Sequence, residues 1–126
     1  MTPPNRRVVL VTGASRGIGR AAALMLERAG ARVVGVSRSL APARSPSRLD
    51  IPCDVTDPSA VAALVDSVHG AVGTPDVVVN NAGSFLLKPV EETSPEDFAG
   101  QIAANLTAVF LVARAFLPAM RARGSG

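Results

Sequence analysis

Arg7-Val8-Val9-Leu10-Val11-Thr12-Gly13-Ala14-Ser15-Arg16-Gly17-Ile18-Gly19-Arg20 is the stretch that decides the fold. Apolar and β-branched residues run from Val8 to Val11, a glycine-punctuated turn follows, and a helix-forming run opens at once. Strand, tight turn and helix start, in that order, make a phosphate-binding βα unit. Glycine removes the Cβ that would hold a pyrophosphate off the backbone, and the first free N–H groups of the helix then face the anion. The glycines are spaced Gly-x-x-x-Gly-x-Gly at Gly13, Gly17 and Gly19 rather than Gly-x-Gly-x-x-Gly. No Lys-Ser or Lys-Thr pair follows, which excludes a P-loop. The bland alternative is a glycine-rich turn without a ligand.

Downstream, Ala21 to Ala29 continues the helix and Gly30 ends it as a left-handed cap. Ala31 to Ser37 reads as a second strand with a nearly continuous apolar middle, as in buried parallel strands. Arg38 to Asp50 holds Pro42 and Pro46 among serines and reads as an irregular connection. Ile51-Pro52-Cys53-Asp54-Val55 reads as a short third strand, with Pro52 placing it at a sheet edge. Asp57-Pro58 opens a helix to about Ala71, and Asp76 to Asn80 is a fourth strand, expected to be buried on both faces. Ser94-Pro95-Glu96-Asp97 is a capping signature for a long helix over 95–120, with turn residues from Arg121 to Gly126. Alternating strands and helices predict an α/β fold, a partial doubly wound Rossmann-type parallel sheet of four strands in the order 3-2-1-4. The fourth strand would then have a bare edge.

One domain fits 126 residues, and 48% apolar against 18% charged residues is a globular composition. No apolar run approaches the length of a membrane span, and the lead-in from Met1 to Arg7 does not read as a signal peptide. The single cysteine, Cys53, excludes an internal disulfide framework and fits a reducing cytoplasm. It reads as a small buried apolar residue, and His69 as a surface helix residue. No metal-ligand spacing stands out. A net charge of +3 invites a nucleic-acid reading, but the arginines are scattered and Tyr and Trp are absent, so nucleic acid is not expected as a partner.

The end of the second strand carries cofactor information. An acidic residue there would bind a ribose 2′-hydroxyl and repel a 2′-phosphate, whereas Ser37 followed by Arg38 suits the phosphate. Arg16, inside the glycine turn, supplies the second half of a clamp. The bland alternative for both arginines is solvated surface charge.

Thr12-Gly13-Ala14-Ser15-Arg16-Gly17-Ile18-Gly19 resembles the Thr-Gly-x-x-x-Gly-Ile-Gly signature of the short-chain dehydrogenase/reductase family, and Asn80-Asn81-Ala82-Gly83 resembles its Asn-Asn-Ala-Gly motif. The resemblance implies carbonyl/alcohol oxidoreduction with NADP(H) rather than NAD(H). It implies that Gly13, Ser15, Arg16, Gly17, Ile18 and Gly19 cradle the phosphates and that Ser37 and Arg38 meet the 2′-phosphate. It further implies that Asp54 and Val55 flank the adenine, and that Asn81, Ala82 and Gly83 line the ribose. For Asp54 a simple role in satisfying turn amides weighs equally. Asn105, a poor choice for mid-helix, falls where the family keeps the asparagine of its Asn-Ser-Tyr-Lys tetrad; the rest of that tetrad is not in this chain, which has no tyrosine. The expectation is therefore one domain over 1–126, incomplete at its C-terminus. The link to Cys53-Asp54-Val55 and Asn105-Leu106-Thr107 look like the NADPH-dependent 3-oxoacyl-carrier-protein reductases, and the resemblance implies a homo-oligomer contact along 95–120. The rival from another class is a non-catalytic nucleotide-binding or interaction module.

Overall fold

The computed structural model describes residues 6–126; Met1 to Asn5, most of the lead-in read above for a signal peptide, lie outside them. Strand β1 (Val8–Thr12) is buried throughout. It lies between β2 (Arg32–Ser37) and β5 (Val77–Val79), parallel to both, with Leu10 opposite Val34 and Val78. Strand β4 (Arg48–Pro52) adds in parallel outside β2, and the two-residue β3 (Ala43–Arg44) runs antiparallel at the far edge. The sheet order is β3-β4-β2-β1-β5. The expected order of the four parallel strands holds, with one added edge strand.

Side-chain alternation along β1 separates two cores. Val9 and Val11, with Val33 of β2, pack under Ala23 of helix α1 (Gly17–Arg28). Leu10, Val34, Val36 and Leu49 face the other way, onto Val61, Leu64 and Val68 of α2 (Pro58–Val72) and onto Val112 and Phe116 of α4 (Ala108–Arg123). Each fully buried aliphatic side chain contributes about 1.5–3 kcal/mol. Helix α1 ends as expected, with Gly30 at φ +94°. The predicted caps also form: the Asp57 side chain accepts from Ser59 N, and Ser94 and Asp97 make a reciprocal capping box at the start of α3 (Pro95–Ile102).

Four expectations need correction. The third strand occupies Arg48–Pro52, not 51–55, and the stretch read as irregular contains a small hairpin closed by Ser45 N donating to Arg48 O. Arg48 and Asp50 hid the strand. They point to the α1 side, where Arg48 Nε donates to Asp50 Oδ1 at 2.6 Å in the space that Gly35 leaves open. The fourth strand is half-buried rather than buried, with Val77 37% exposed, because no described element lies beyond it. His69 is not a surface residue: its ring meets Phe116 edge-on at 6.0 Å and its Nε2 is buried.

The long helix runs to Arg123, past Pro118, because Arg123 ties its last turn down by donating to Thr74 O and Pro75 O. Between α3 and α4 it passes through a π-turn (Ala103–Thr107) that contains Asn105. Among the described residues, Pro95–Arg123 is the one helix that length and composition alone would let cross a membrane. The expectation that no apolar run approaches that length overlooked it, because Asn105, Thr107 and Arg114 interrupt the run in sequence without making the whole polar. Val112 and Phe116 of this helix are fully buried against the sheet and α2.

Burial separates the phenylalanines of this helix. Phe116→Ala, at a fully buried site, is expected to cost about 3–5 kcal/mol. Phe98→Ala, at a site 64% exposed, is expected to stay within about 0.5 kcal/mol. Urea unfolding of the two variants beside the parent checks the contrast.

Candidate functional site

Three turns meet at the carboxyl ends of the parallel strands. The first is the glycine turn between β1 and α1, where Gly13 and Gly17 take φ of +67° and +57°. The second follows β4 through Cys53, Asp54 and Val55, and the third follows β5 through Asn81, Ala82 and Gly83. Together they wall a cleft of about 1220 Å³, larger than the roughly 300–1,000 Å³ of an ordinary small-ligand pocket.

Of the residues singled out from sequence, Gly13, Ser15, Arg16, Gly17 and Ile18 line this cleft from the glycine turn, and Ser37 and Arg38 from the end of β2. Asp54, Val55, Asn81, Ala82 and Gly83 line the opposite walls. Gly19 and Asn105 stand just behind. A Cβ on Gly19 would fall 2.1 Å from Gly13 O and 2.3 Å from Asn81 Nδ2, so glycine is what lets α1 approach the strand end so closely. A Cβ on Gly17 would meet nothing, and there the positive φ alone calls for glycine.

The first turn of α1 has neither a capping side chain nor an acidic residue, unlike α2 and α3. Its N–H groups therefore have no side-chain acceptor at the point where the cleft reaches them. Arg16 and Arg38 flank this end, and neither makes an ion pair among the described residues. Ser37 Oγ accepts from Ser39 N at 3.3 Å and shapes the turn that carries Arg38. An uncapped helix start with two unpaired guanidinium groups is a fit for a phosphorylated ligand.

Asp54 is held by its own turn. Its Oδ1 accepts from Thr56 Oγ1 at 2.7 Å and from Thr56 N at 3.0 Å, and these bonds hold its carboxyl below the usual carboxylate range, with Arg38 adding a smaller pull. The structural role weighed from sequence is therefore in place, and no hydrogen bond among the described residues uses Oδ2. Burial, followed by the charges of Asp54 and Asp57, pushes the Cys53 thiol up. Cys53 is buried as expected.

Sequence reasoning missed Thr12, Ser84 and Gln101. Thr12 is buried at the end of β1, and its hydroxyl accepts from Asn81 N at 3.1 Å and from Ala82 N at 2.9 Å. The Asn81 side chain answers by donating to Thr12 O and Gly13 O. Ser84 N donates to Asn105 Oδ1, Asn105 Nδ2 donates to Ser84 O and Gln101 O, and Gln101 Nε2 donates to Ser84 Oγ at 2.9 Å. The signal for Asn105 was its poor helix propensity; its partner Gln101 is four residues away, but its partner Ser84 lies 21 residues away and left no local trace.

Against known proteins, the family model described as short chain dehydrogenase matches residues 7–126. An NADPH-dependent pterin aldehyde reductase of Arabidopsis thaliana is 36% identical over 129 residues, covering 95% of this chain and 53% of that protein. The 3-oxoacyl-[acyl-carrier-protein] reductase of Escherichia coli is 33% identical over 126 residues, covering 95% and 52%. A metagenomic short-chain oxidoreductase crystallised in complex with NADP superposes with a TM-score of 0.86 at 39% identity, over 95% of this chain and 59% of that one. The chain thus spans about half the length of the curated relatives it matches.

Thr12→Val keeps the shape but leaves Ala82 N without an acceptor and Asn81 N with Val79 O alone, and is expected to cost about 1–3 kcal/mol, with Thr12→Ser restoring most of it in urea unfolding. Asp54 gives a pH test. Its depressed pKa contributes stability that is present above the ordinary carboxylate value, about 3.9, and lost as pH falls through the lower native value. Thr56→Val removes the bond that contributes most to the depression. The loss of stability on acidification below about pH 4 is expected to be shallower in this variant than in the parent, read from urea midpoints.

Proposed function

The chain belongs to the short-chain dehydrogenase family, and we propose from that membership that residues 1–126 are the NADP(H)-binding portion of an oxidoreductase acting on a carbonyl or alcohol. The observation that carries the cofactor reading is the pair of unpaired guanidinium groups, Arg16 and Arg38, at the end of the cleft where β2 closes on Ser37 instead of a carboxylate. A ribose 2′-phosphate takes charge-assisted bonds from this pair. The amides from Gly17 to Gly19, with Gly13, Ser15 and Ile18 around them, take the pyrophosphate. Asp54, through its second oxygen, and Val55 meet the adenine, while Asn81, Ala82 and Gly83 form the wall beside the ribose. The NADPH dependence in the name of the Arabidopsis relative and the NADP in the metagenomic structure support the same choice.

When bound, NADP(H) carries the hydride exchanged with the substrate carbon. The family resemblance assigns the accompanying proton to a tyrosine, and this chain contains no tyrosine. Asn105 belongs to that machinery as a positioning residue, its side chain fully engaged with Ser84 and Gln101. The names of the relatives support two substrate classes, a 3-oxoacyl thioester and an aldehyde. The exposed apolar side chains Phe98, Leu106, Phe110 and Leu117 support a homo-oligomer contact on the long helix. A reducing cytoplasm is part of this reading and is supported by the single buried thiol.

Arg38→Asp tests the cofactor choice. Loss of a charge-assisted bond costs about 1.5–3 kcal/mol, so NADPH is expected to bind about 10–100-fold more weakly while NADH affinity holds or rises, as read by fluorescence titration. Equal effects on the two cofactors would remove the clamp from the reading.

A further inference from the structure

Charge is divided unevenly along the chain. From Met1 to Arg48 there are nine arginines and a single carboxylate, Glu27, while the remainder has four cationic side chains and nine acidic ones. The fold takes that one carboxylate out of play: Ser47 Oγ donates to Glu27 Oε1, and Arg48 Nη1 lies 3.9 Å from Glu27 Oε2. The outward face of α1 is left with cations alone.

Helix α1 turns Gly19, Ala23 and Leu26 toward the sheet. Its opposite face is exposed at Arg20, Ala21, Leu24, Met25 and Arg28. Arg20, Leu24 and Arg28 are four residues apart and form one ridge, with Ala21 and Met25 on the ridge beside it. The two arginines stand about 12 Å apart along the helix axis, and neither makes an ion pair among the described residues. Met25 is 69% exposed and Leu24 38%. Arg28 lies one turn from both of them, so cationic and apolar groups alternate within one patch. None of these residues lines the cleft.

The alternation decides among anionic partners. A nucleic-acid backbone would pair the guanidinium groups but leave Leu24 and Met25 unused, and this face has no aromatic ring on which a base could stack. A bilayer would take up Leu24 and Met25 but carry Arg28 in with them. An acidic amphipathic helix meets both kinds of group, with carboxylates for the arginines and apolar side chains for the rest. We propose that the outward face of α1 docks such a helix of a partner protein, with Arg28 paired at the centre, Leu24 and Met25 against the partner's apolar side chains, and Arg20 at the rim. One helix face buries the modest area of a transient contact, and the charges speed encounter. The surface is separate from the cleft and does not depend on the cofactor reading.

The test titrates the chain into a fluorescein-labelled peptide of about 20 residues, long enough to span the roughly 18 Å of α1, with leucines at helical spacing and glutamates flanking them. Oligoglutamate of the same length, a duplex DNA and phosphatidylglycerol vesicles are titrated beside it. The leucine–glutamate peptide is expected to bind most tightly, about tenfold more tightly than oligoglutamate. Arg28→Ala is expected to weaken it at least about tenfold, and Arg20→Ala by no more than about fivefold. Met25→Ser is expected to reduce its advantage over oligoglutamate. Urea midpoints close to the parent's confirm that the variants fold; should Arg28→Ala shift the midpoint, Arg28→Gln is read in its place, with the same expected loss. DNA or vesicles that bind more tightly than the peptide, peptide binding that survives the Arg28 substitution, or no binding of any probe overturns the proposal.

Discussion

The cleft depends on one interaction, the bond between the end of β1 and the turn that follows β5. Two parallel strands that end side by side leave their last amides pointing at each other's turns, where ladder bonds stop. Here the Thr12 hydroxyl accepts from two of those amides, and the Asn81 side chain returns two bonds to the carbonyls of Thr12 and Gly13. The lock sets the glycine turn against Asn81–Gly83, and Gly19 then brings α1 down onto Gly13 O and Asn81 with no room for a Cβ. Threonine, asparagine and glycine at these positions are thus one requirement. Loosening any member moves the start of α1, and with it the row of amides facing the cleft.

What was legible in the sequence follows from how local its cause is. The glycine turn, the Gly30 cap, the Asp57 cap and the Ser94–Asp97 capping box are set by residues within a few positions of each other, and all form as read. Strand β4 was not legible because its charges are satisfied by a long-range arrangement. Arg48 and Asp50 pair across two positions, Glu27 of α1 lies 3.9 Å from Arg48, and Gly35 of the neighbouring strand leaves the space. Without knowledge of that space, Arg-Leu-Asp-Ile reads as a loop. The same holds for His69, whose partner Phe116 is far along the chain. At the cleft, the motif residues other than Gly19 and Asn105 share one lining, whereas Thr12, Ser84 and Gln101 show themselves only through bonds to distant residues.

Charge is distributed along the cleft in a way that orients whatever enters it. Arg16, the N-cap of α1, and Arg38 flank the uncapped amides of α1 at the β2 end, and Glu96 stands at the α3 end. A ligand with phosphates at one end and a neutral group at the other is favoured in one direction and opposed in the reverse. Surface charges of this kind act over roughly 8–10 Å at physiological salt, so the two ends of the cleft act on different parts of an extended ligand. Orientation then comes from the chain before any contact with a reacting group is made.

The π-turn explains how one helix serves both the core and the cleft. From α4, Ala108, Val112 and Phe116 pack against the sheet and α2 at helical spacing. From the preceding segment, Gln101 and Asn105 face Ser84. Ala108 N donates to Ala103 O, five residues back rather than four, so the turn between the two halves holds one extra residue. One residue rotates an α-helix by about 100°. That rotation lets the core-facing stripe of α4 and the polar side chains ahead of it each meet a different partner without a break in the helix. A regular α-helix would fix the two faces to a single phase, and the packing of Phe116 would then dictate where Asn105 points. The inserted residue separates the two demands, so the core can hold the helix while the cleft sets the side chains of its first turns.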